Sequence, residues 1–203
     1  MRFVKWALVV LGLAGLCVAW LTAQTGPKDV EWRHYAADLA GTHYSPLDQI
    51  NAGNFNRLQV AWRFKTDNLG PSREGQLEAT PLMVNGMLYT TGGTRRVVVA
   101  LNAATGEMKW MHSEDEGERG ANAPRQLSGR GLAYWTDGTE ERILYVTPGY
   151  RMIALNAKTG ARVPGFGVDG VVDLKLDDDQ QMDPNKGVIG LLDVACVPVG
   201  AKN

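Results

Sequence analysis

The sequence predicts an all-β protein whose four-stranded antiparallel sheets stack as blades of a β-propeller. The first observation is a repeat: residues 100–110 read ALNAATGEMKW, and residues 154–164 read ALNAKTGARVP. The copies are displaced by 154 − 100 = 54 residues, close to the roughly 40–50 residues over which propeller blades repeat. The second observation is a pair of turn signals between apolar runs, Asn85 with Gly86 and Asp137 with Gly138, which favour two-residue hairpins. A unit of this size cannot bury its own apolar face, so the repeat predicts neighbouring blades on both sides.

Residues 1–23 are predicted to be a signal peptide or an N-terminal anchor. Arg2 and Lys5 precede an apolar stretch of 15 residues, 7–21. A helix that spans a bilayer needs about 20 apolar residues, whereas this length fits the apolar region of an export signal. Cleavage is expected after Ala23. Leu21 is bulky for the position three residues before the cut, so an uncleaved anchor is the alternative, and either outcome predicts a periplasmic or extracytoplasmic protein.

The composition is that of a globular protein without a nucleic-acid partner. Apolar residues make up 44% of the chain and charged residues 21%, and the formal net charge is −1. This balance offers no basic surface for nucleic acid. Of the two cysteines, Cys17 lies in the leader and Cys196 near the other end, so a cleaved chain could form no internal disulfide.

Residues 24–31 are predicted to be a polar linker, and residues 32–203 to be part of a propeller. A strand that alternates between apolar and polar residues is expected at 58–65. The first blade is predicted from four short runs that are joined by turn signals: 82–84, 87–91, 97–101 and 107–111. Gly106 takes the turn position where φ is positive, and Asn102 is expected to cap the same turn with its side-chain oxygen.

The second blade is predicted from strands at 132–136, 143–147 and 152–155. The segment between the blades, 113–128, is charged and long for a connection, and such loops are usually functional or disordered. Residues 171–176 are expected to begin a third blade. About two and a half blades would leave strand edges uncovered, so the sequence is expected to be the N-terminal piece of a longer protein.

The repeat resembles the tryptophan docking motif, A-x-D-x-x-x-G-x-x-x-W, of quinoproteins, which are dehydrogenases that carry pyrroloquinoline quinone (PQQ) on an eight-bladed propeller. Asn102 and Asn156 stand at the position of the Asp, and Pro164 stands where the second copy should have its Trp. In the family that indole packs between adjacent blades. Phe166 is close enough in sequence to serve as an apolar substitute.

Two further motifs carry the resemblance. Residues 78–82 (EATPL) resemble the E-x-T-P-L element, in which the Glu reaches the cofactor rim, and residues 130–135 (RGLAYW) resemble R-G-L-A-Y-W, in which the Arg hydrogen-bonds the quinone oxygens. The resemblance therefore implies that Glu78 and Arg130 bind the cofactor. A cation beside the quinone oxygens would stabilise the negative charge that develops as the quinone takes two electrons. Pro124 and Arg125 stand where alcohol-oxidising members have a vicinal cysteine pair, as in the glucose-oxidising branch.

The resemblance implies a dehydrogenase of the glucose or alcohol dehydrogenase type. It would oxidise a sugar or an alcohol, pass two electrons to PQQ and then pass them to a membrane quinone or a cytochrome. The family's catalytic base and its Ca²⁺ ligands belong to later blades, so no catalytic or metal-binding residue is assigned here, and the fragment alone is expected to be inactive.

Two alternatives stay open. One is a non-catalytic propeller that acts as a periplasmic protein-binding scaffold, as in outer-membrane assembly lipoproteins built from the same repeats. The two motifs at 78–82 and 130–135 distinguish a dehydrogenase from such a scaffold, since a scaffold has no use for them. The other is an orphan fragment with no function of its own.

Other candidate sites fail on context. Residues 165–170 spell G-x-G-x-x-G, but a predicted strand follows them, and a phosphate cradle needs a helix N-terminus there. Asp177, Asp178, Asp179 and Asp183 lack the spacing of a calcium loop. The three histidines, His34, His43 and His112, have no ligand spacing.

Overall fold

Two four-stranded antiparallel sheets form the computed structural model, which describes residues 31–70, 77–126 and 131–176. The first blade contains β1 (Leu82–Val84), β2 (Met87–Gly92), β3 (Val97–Asn102) and β4 (Met108–His112). The second blade contains β5 (Ala133–Thr136), β6 (Glu141–Val146), β7 (Arg151–Asn156) and β8 (Val171–Asp173). In both blades the strands lie side by side in chain order. This confirms the all-β prediction and agrees with two blades of a partial propeller.

Within the described residues, helical structure is limited to a 3-10 turn, Phe55–Arg57, and one short helix, α1 (Gly117–Ala121). Among the described residues, no helix is long and apolar enough to cross a membrane. The predicted leader and most of the predicted linker lie outside the described residues, as do residues 177–203.

The first hairpin signal forms the two-residue turn it predicts, whereas Asp137 and Gly138 lie in a four-residue connection, 137–140, because Thr136 pairs with Glu141. Asn85 and Gly86 join β1 to β2 with φ angles of 51° and 73°, and Val84 pairs with Met87 across them. Two successive residues with positive φ are typical of a type I′ turn, whose twist matches that of the flanking strands.

The two repeat copies form equivalent turns between the third and fourth strands. Asn102 Oδ1 accepts hydrogen bonds from the backbone N–H groups of Ala104 and Thr105, both at 3.0 Å. Asn156 Oδ1 accepts the same pair of bonds from Lys158 and Thr159, at 3.0 and 3.1 Å. The expected side-chain caps are therefore confirmed, and an amide oxygen fills the acceptor role of the family's Asp.

Each of these turns receives a tryptophan from the preceding part of the chain. Trp110 Nε1 donates to the carbonyl of Ala157 at 2.9 Å, and Trp62 Nε1 donates to the carbonyl of Ala103 at 3.0 Å. The Trp110 ring lies so close to Gly160 that a Cβ there would be 2.6 Å from the ring. Trp110 is thus buried between the two blades, as the docking motif implies.

The main core lies between the blades. It combines side chains from one face of the first blade with side chains from the facing surface of the second: Leu82, Val84, Tyr89, Val98, Ala100, Trp110, Leu132, Ile143, Tyr145, Ile153, Leu155 and Ala157. The alternate residues of β3, Val97, Val99 and Leu101, pack on the other face against Leu69, Trp62 and Phe64. The first blade is therefore covered on both faces.

Two expectations need correction. Residues 171–176 do not begin a third blade: Val171–Asp173 is the fourth strand of the second blade and pairs with Arg151, Met152 and Ile153 of β7. The reason is that the chain makes a long excursion after the second docking turn before it returns to β7. Residues 58–65 form no strand pairing with described residues, and only their second half, from Ala61 onwards, alternates in burial, because residues 58–61 are all exposed.

Candidate cofactor site

The turns and connections between strands lie at two opposite ends of the blades, and each end carries a different set of them. One end, here called the docking end, carries the β1–β2, β3–β4, β5–β6 and β7–β8 turns. The other, here called the loop end, carries the starts of β1 and β5, the β2–β3 and β6–β7 turns and the described parts of the connection between the blades, 113–126 and 131–132. Antiparallel strands in chain order place alternate connections at the same end. Hydrogen bonds between the blades agree with the assignment: Asn85 donates to Glu141 at the docking end, and Arg96 donates to the carbonyls of Val146 and Thr147 at the loop end.

In the sequence, the two predicted cofactor residues precede β1 and β5, the first strands of successive blades, whose starts lie at the loop end. Glu78 stands four residues before Leu82, and its side chain is exposed. Arg130 stands three residues before Ala133 and lies outside the described residues. The two motifs are therefore equivalent in position, one per blade. The rest of the second motif starts β5, where Leu132 is buried in the core between the blades.

The N-terminal segment runs along β1 and β5 towards the same end. Trp32 exchanges two backbone hydrogen bonds with Met83 of β1, at 2.8 and 3.0 Å. The guanidinium of Arg33 lies 5.6 Å from the ring centre of Tyr134 on β5. Tyr35 then lies beside Gly131, with its ring 3.6 Å from the point that a Cβ on Gly131 would occupy. An exposed aromatic ring therefore stands next to the first described residue after Arg130.

The connection between the blades, which we call the strap (residues 113–126), is held against the second blade by Glu116. The Glu116 side chain is only 3% exposed. Its carboxylate accepts a hydrogen bond from Thr147 Oγ1 and one from the backbone N–H of Gly149, both at 2.7 Å. These donors satisfy a carboxylate that would otherwise be costly to bury.

Arg119 of α1 makes a second attachment. Its Nε donates to the carbonyl of Gly149 at 2.6 Å, and its two terminal nitrogens donate to the two carboxylate oxygens of Asp173 at 2.6 and 2.5 Å. This two-point geometry is the strong form of an arginine–carboxylate pair. The hydrogen bonds from Arg119 hold the pKa of Asp173 below its usual range. Both attachments converge on the β6–β7 turn.

Arg96 makes a third attachment, from the β2–β3 turn. Its guanidinium donates to the carbonyls of Val146 and Thr147, at 3.0 and 3.2 Å, and to that of Arg125 at 3.4 Å. One side chain thus ties the first blade to the second blade and to the strap. The sequence prediction identified 113–128 as a long loop but missed these attachments, because their partners are remote in sequence.

The described residues fit PQQ only in part. The exposed carboxylate of Glu78 can accept a hydrogen bond from a ligand at the loop end. Within residues 31–70, 77–126 and 131–176, no group of three or more His, Cys, Asp or Glu side chains is placed to hold a metal ion.

Comparison with known proteins places this arrangement in a family. Residues 32–196 match the family model described as PQQ, glucose/ethanol/alcohol dehydrogenase, beta-propeller domain. The dehydrogenase subunit of the alcohol dehydrogenase (quinone) of Gluconobacter oxydans is 37% identical over 145 residues, which are 70% of this chain and 18% of that protein. The quinoprotein glucose dehydrogenase of the same organism is 31% identical over 174 residues, covering 77% of this chain and 21% of that protein.

A solved structure agrees with these matches. The quinohemoprotein alcohol dehydrogenase from Comamonas testosteroni superposes with a TM-score of 0.59 at 28% identity, over 78% of this chain and 21% of that one. The chain thus spans about a fifth of the length of the relatives it matches. The chain belongs to the PQQ-dependent glucose, ethanol and alcohol dehydrogenase β-propeller family.

Proposed function

We propose that these blades serve a PQQ-dependent dehydrogenase that oxidises a sugar or an alcohol. The observation that carries the proposal is the placement of the two cofactor motifs. In the sequence, Glu78 stands four residues before β1, the first strand of the first blade, and Arg130 stands three residues before β5, the first strand of the second blade. Non-catalytic propellers have no need for these motifs.

In this proposal the chain's own residues bind and orient the cofactor. When bound, PQQ supplies an electrophilic carbonyl that accepts two electrons from the substrate. The carboxylate of Glu78 accepts a hydrogen bond at the cofactor rim, and the guanidinium of Arg130 stabilises negative charge on the quinone oxygens. Ca²⁺ is proposed as a second cofactor, with ligands on other blades of the family's propeller.

Substrate, electron acceptor and location are finer parts of the same proposal. Relatives are named for alcohol, glucose and 1-butanol, and one is named for cytochrome c. Pro124 and Arg125, in place of a cysteine pair, favour the glucose-oxidising branch. We propose a membrane quinone or a cytochrome as acceptor and an extracytoplasmic location, because Arg2 and Lys5 precede an apolar leader.

A hybrid enzyme tests the proposal. Residues of this chain would replace the aligned part of the Gluconobacter oxydans quinoprotein glucose dehydrogenase, and dye reduction would be measured with glucose and with 1-butanol in the presence of PQQ and Ca²⁺. Arg130→Ala should lower the rate by about 10²–10³-fold, as loss of one such donor does. Arg130→Lys should restore part of the rate, because a point charge lacks the planar fork. Glu78→Gln should weaken PQQ affinity.

Glu118→Gln, at an exposed glutamate of α1, is the matched control and should change neither quantity. If the hybrid folds but Glu78→Gln and Arg130→Ala leave PQQ affinity and rate unchanged, the assigned site is wrong. A folded hybrid that binds no PQQ would favour the scaffold alternative.

A further inference from the structure

The β1–β2 turn makes hydrogen bonds that reach both docking turns. Its Gly86 carbonyl accepts the backbone N–H of Ala103, in the first docking turn, at 3.0 Å. Its Asn85 side-chain amide donates to Glu141 Oε2 of the second blade, also at 3.0 Å. The backbone carbonyl of Glu141 accepts the N–H of Ala157, in the second docking turn, at 2.9 Å. A chemical change at this turn therefore acts on the contact between the blades.

Asn85 and Gly86 form the one Asn-Gly pair in the sequence. The backbone nitrogen of a glycine can attack the side-chain carbonyl carbon of a preceding asparagine, because no Cβ shields it. Both residues are exposed, and nothing lies within 4 Å of the point that a Cβ on Gly86 would occupy. Within the described residues, the Gly86 N–H donates no hydrogen bond. The nucleophile is therefore neither shielded nor bonded.

The asparagines of the docking turns lie in a different environment. Asn102 and Asn156 are each followed by alanine, whose methyl group shields the next backbone nitrogen. Each side-chain oxygen also accepts two backbone N–H groups of its own turn, which hold the carbonyl in place. The amide of Asn85 is instead held by Glu141 across the contact between the blades, and it is released whenever that contact opens.

We propose that Asn85 is a site of spontaneous deamidation and that its products weaken the contact between the two blades. The Gly86 nitrogen loses its proton and forms a bond to Asn85 Cγ. The bond from Cγ to Nδ2 breaks, and Nδ2 leaves as ammonia with that proton. Water then opens the cyclic imide at either of its carbonyl carbons, which gives aspartate or isoaspartate. No oxidant, metal ion or cofactor takes part.

Either product places a carboxylate where a hydrogen-bond donor now stands. Glu141 Oε2 lies 3.0 Å from the Asn85 amide nitrogen, and Glu31 Oε1 accepts the Asn85 backbone N–H at 2.8 Å. Two carboxylates therefore face the new charge. Lys158, 3.5 Å from Glu141, and Arg33, paired with Glu31, offset part of the repulsion. What remains is the loss of one hydrogen bond between the blades and an unfavourable pair of like charges in its place.

Isoaspartate has a second effect, on the backbone. It adds one main-chain atom between the α-carbon of residue 85 and the nitrogen of Gly86. Because the length of a hairpin turn fixes the register of its strands, the Gly86 carbonyl moves away from the N–H of Ala103. Isoaspartate should therefore disturb the first docking turn as well as the contact with the second blade.

Peptide mass spectrometry of the 203-residue chain, after incubation in mildly alkaline buffer, tests the reaction. Asn85 should be converted first, to aspartate and isoaspartate together, and Asn102 and Asn156 should stay intact when half of Asn85 has reacted. Asn85→Gln should release no ammonia from this position over the same time, because its side chain would have to close a larger ring. An intact Asn85, or conversion of Asn102 or Asn156 before it, would overturn the proposal.

The variant Asn85→Asp tests the consequence for stability. Asp-Gly also favours a type I′ turn, so this variant keeps the turn and changes the charge. Its melting temperature should fall by about 2–4 °C, the shift expected for loss of one hydrogen bond in a chain of this length. Adding Glu141→Gln should recover most of that loss, because the glutamine amide can donate to the new aspartate.

Glu118→Gln in the same Asn85→Asp background is the matched control. It removes an exposed negative charge at α1, away from the β1–β2 turn, and should recover nothing. Equal melting temperatures for wild type and Asn85→Asp, or equal recovery by Glu141→Gln and Glu118→Gln, would overturn the proposed effect on the blades. None of these outcomes bears on whether the chain binds PQQ.

Discussion

Replacement of Trp110 by alanine should be the most destabilising single change between the two blades. The indole is 8% exposed and packs against Gly160 and the ring of Tyr89, whose centre is 5.9 Å away. Truncation of a buried aromatic residue of this size costs about 3–5 kcal/mol. For a chain of this length, 1 kcal/mol shifts the melting temperature by about 2–4 °C. The expected drop in melting temperature is therefore about 6–20 °C.

A second variant measures how much of that loss of stability comes from the hydrogen bond of the indole alone. Trp110→Phe keeps most of the apolar surface and loses the hydrogen bond from Nε1 to the Ala157 carbonyl. That carbonyl also accepts the hydroxyl of Tyr89 at 3.2 Å, so it is not left unsatisfied. The expected loss is thus only about 0.5–1.5 kcal/mol.

The assay is thermal unfolding followed by circular dichroism, with Met111→Ala as control. Met111 lies on the same strand with half its surface exposed, and substitutions at such positions usually change stability by less than about 0.5 kcal/mol. Equal melting temperatures for wild type and Trp110→Ala would refute the conclusion that the repeat docks the blades.

Three further predictions test other parts of the structure. Gly86→Ala should lower the free energy of unfolding by about 1–2 kcal/mol, the cost of positive φ alone, because nothing lies within 4 Å of the added methyl group. Gly160→Ala, at φ 72°, adds a clash with Trp110 and should lower it further. Equal losses for the two variants in urea unfolding would contradict the close contact between Gly160 and Trp110. Because Arg119 lowers the pKa of Asp173, the stability that the pair contributes is present above the unfolded-state pKa of about 3.9 and is lost as pH falls through the folded pKa. Asp173→Asn should therefore be less stable than wild type at neutral pH, with a difference that shrinks in acid, and a constant difference would count against the ion pair. The isolated chain with added PQQ and Ca²⁺ should reduce no dye with glucose or 1-butanol, and reduction by it would show that the active site needs no other blades.

Sequence predicted the elements whose signals are local. Asn85 and Gly86 specify their hairpin within two residues, and the repeat specifies the turns at Asn102 and Asn156. Strand 171–173 was assigned to the wrong blade because its identity depends on pairing with β7, which residues 157–170 separate from it. Sequence spacing alone gives no sign of that pairing.

The candidate site was predictable only as far as motifs reach. Glu78 and Arg130 could be named from short motifs that precede the first strands of the two blades in the sequence. Glu116 and Arg119 could not, because each is an ordinary charged residue in a polar loop until the fold brings it to Gly149. Thr147, the partner of Glu116, is 31 residues away from it in the sequence, and Asp173, the partner of Arg119, is 54 residues away.

The docking turns are capped by uncharged amide oxygens, whereas Arg119 of the strap is bound by the carboxylate of Asp173. The two regions should therefore lose stability at different pH values. Asn102 and Asn156 each offer an uncharged amide oxygen to two backbone N–H groups. An aspartate in that place would lose its charge-assisted bonds on protonation, whereas an amide does not titrate. The turns that receive Trp62 and Trp110 should therefore persist at a pH where the carboxylate of Asp173 has released Arg119. Acid should loosen the strap at the loop end before it separates the blades at the docking end.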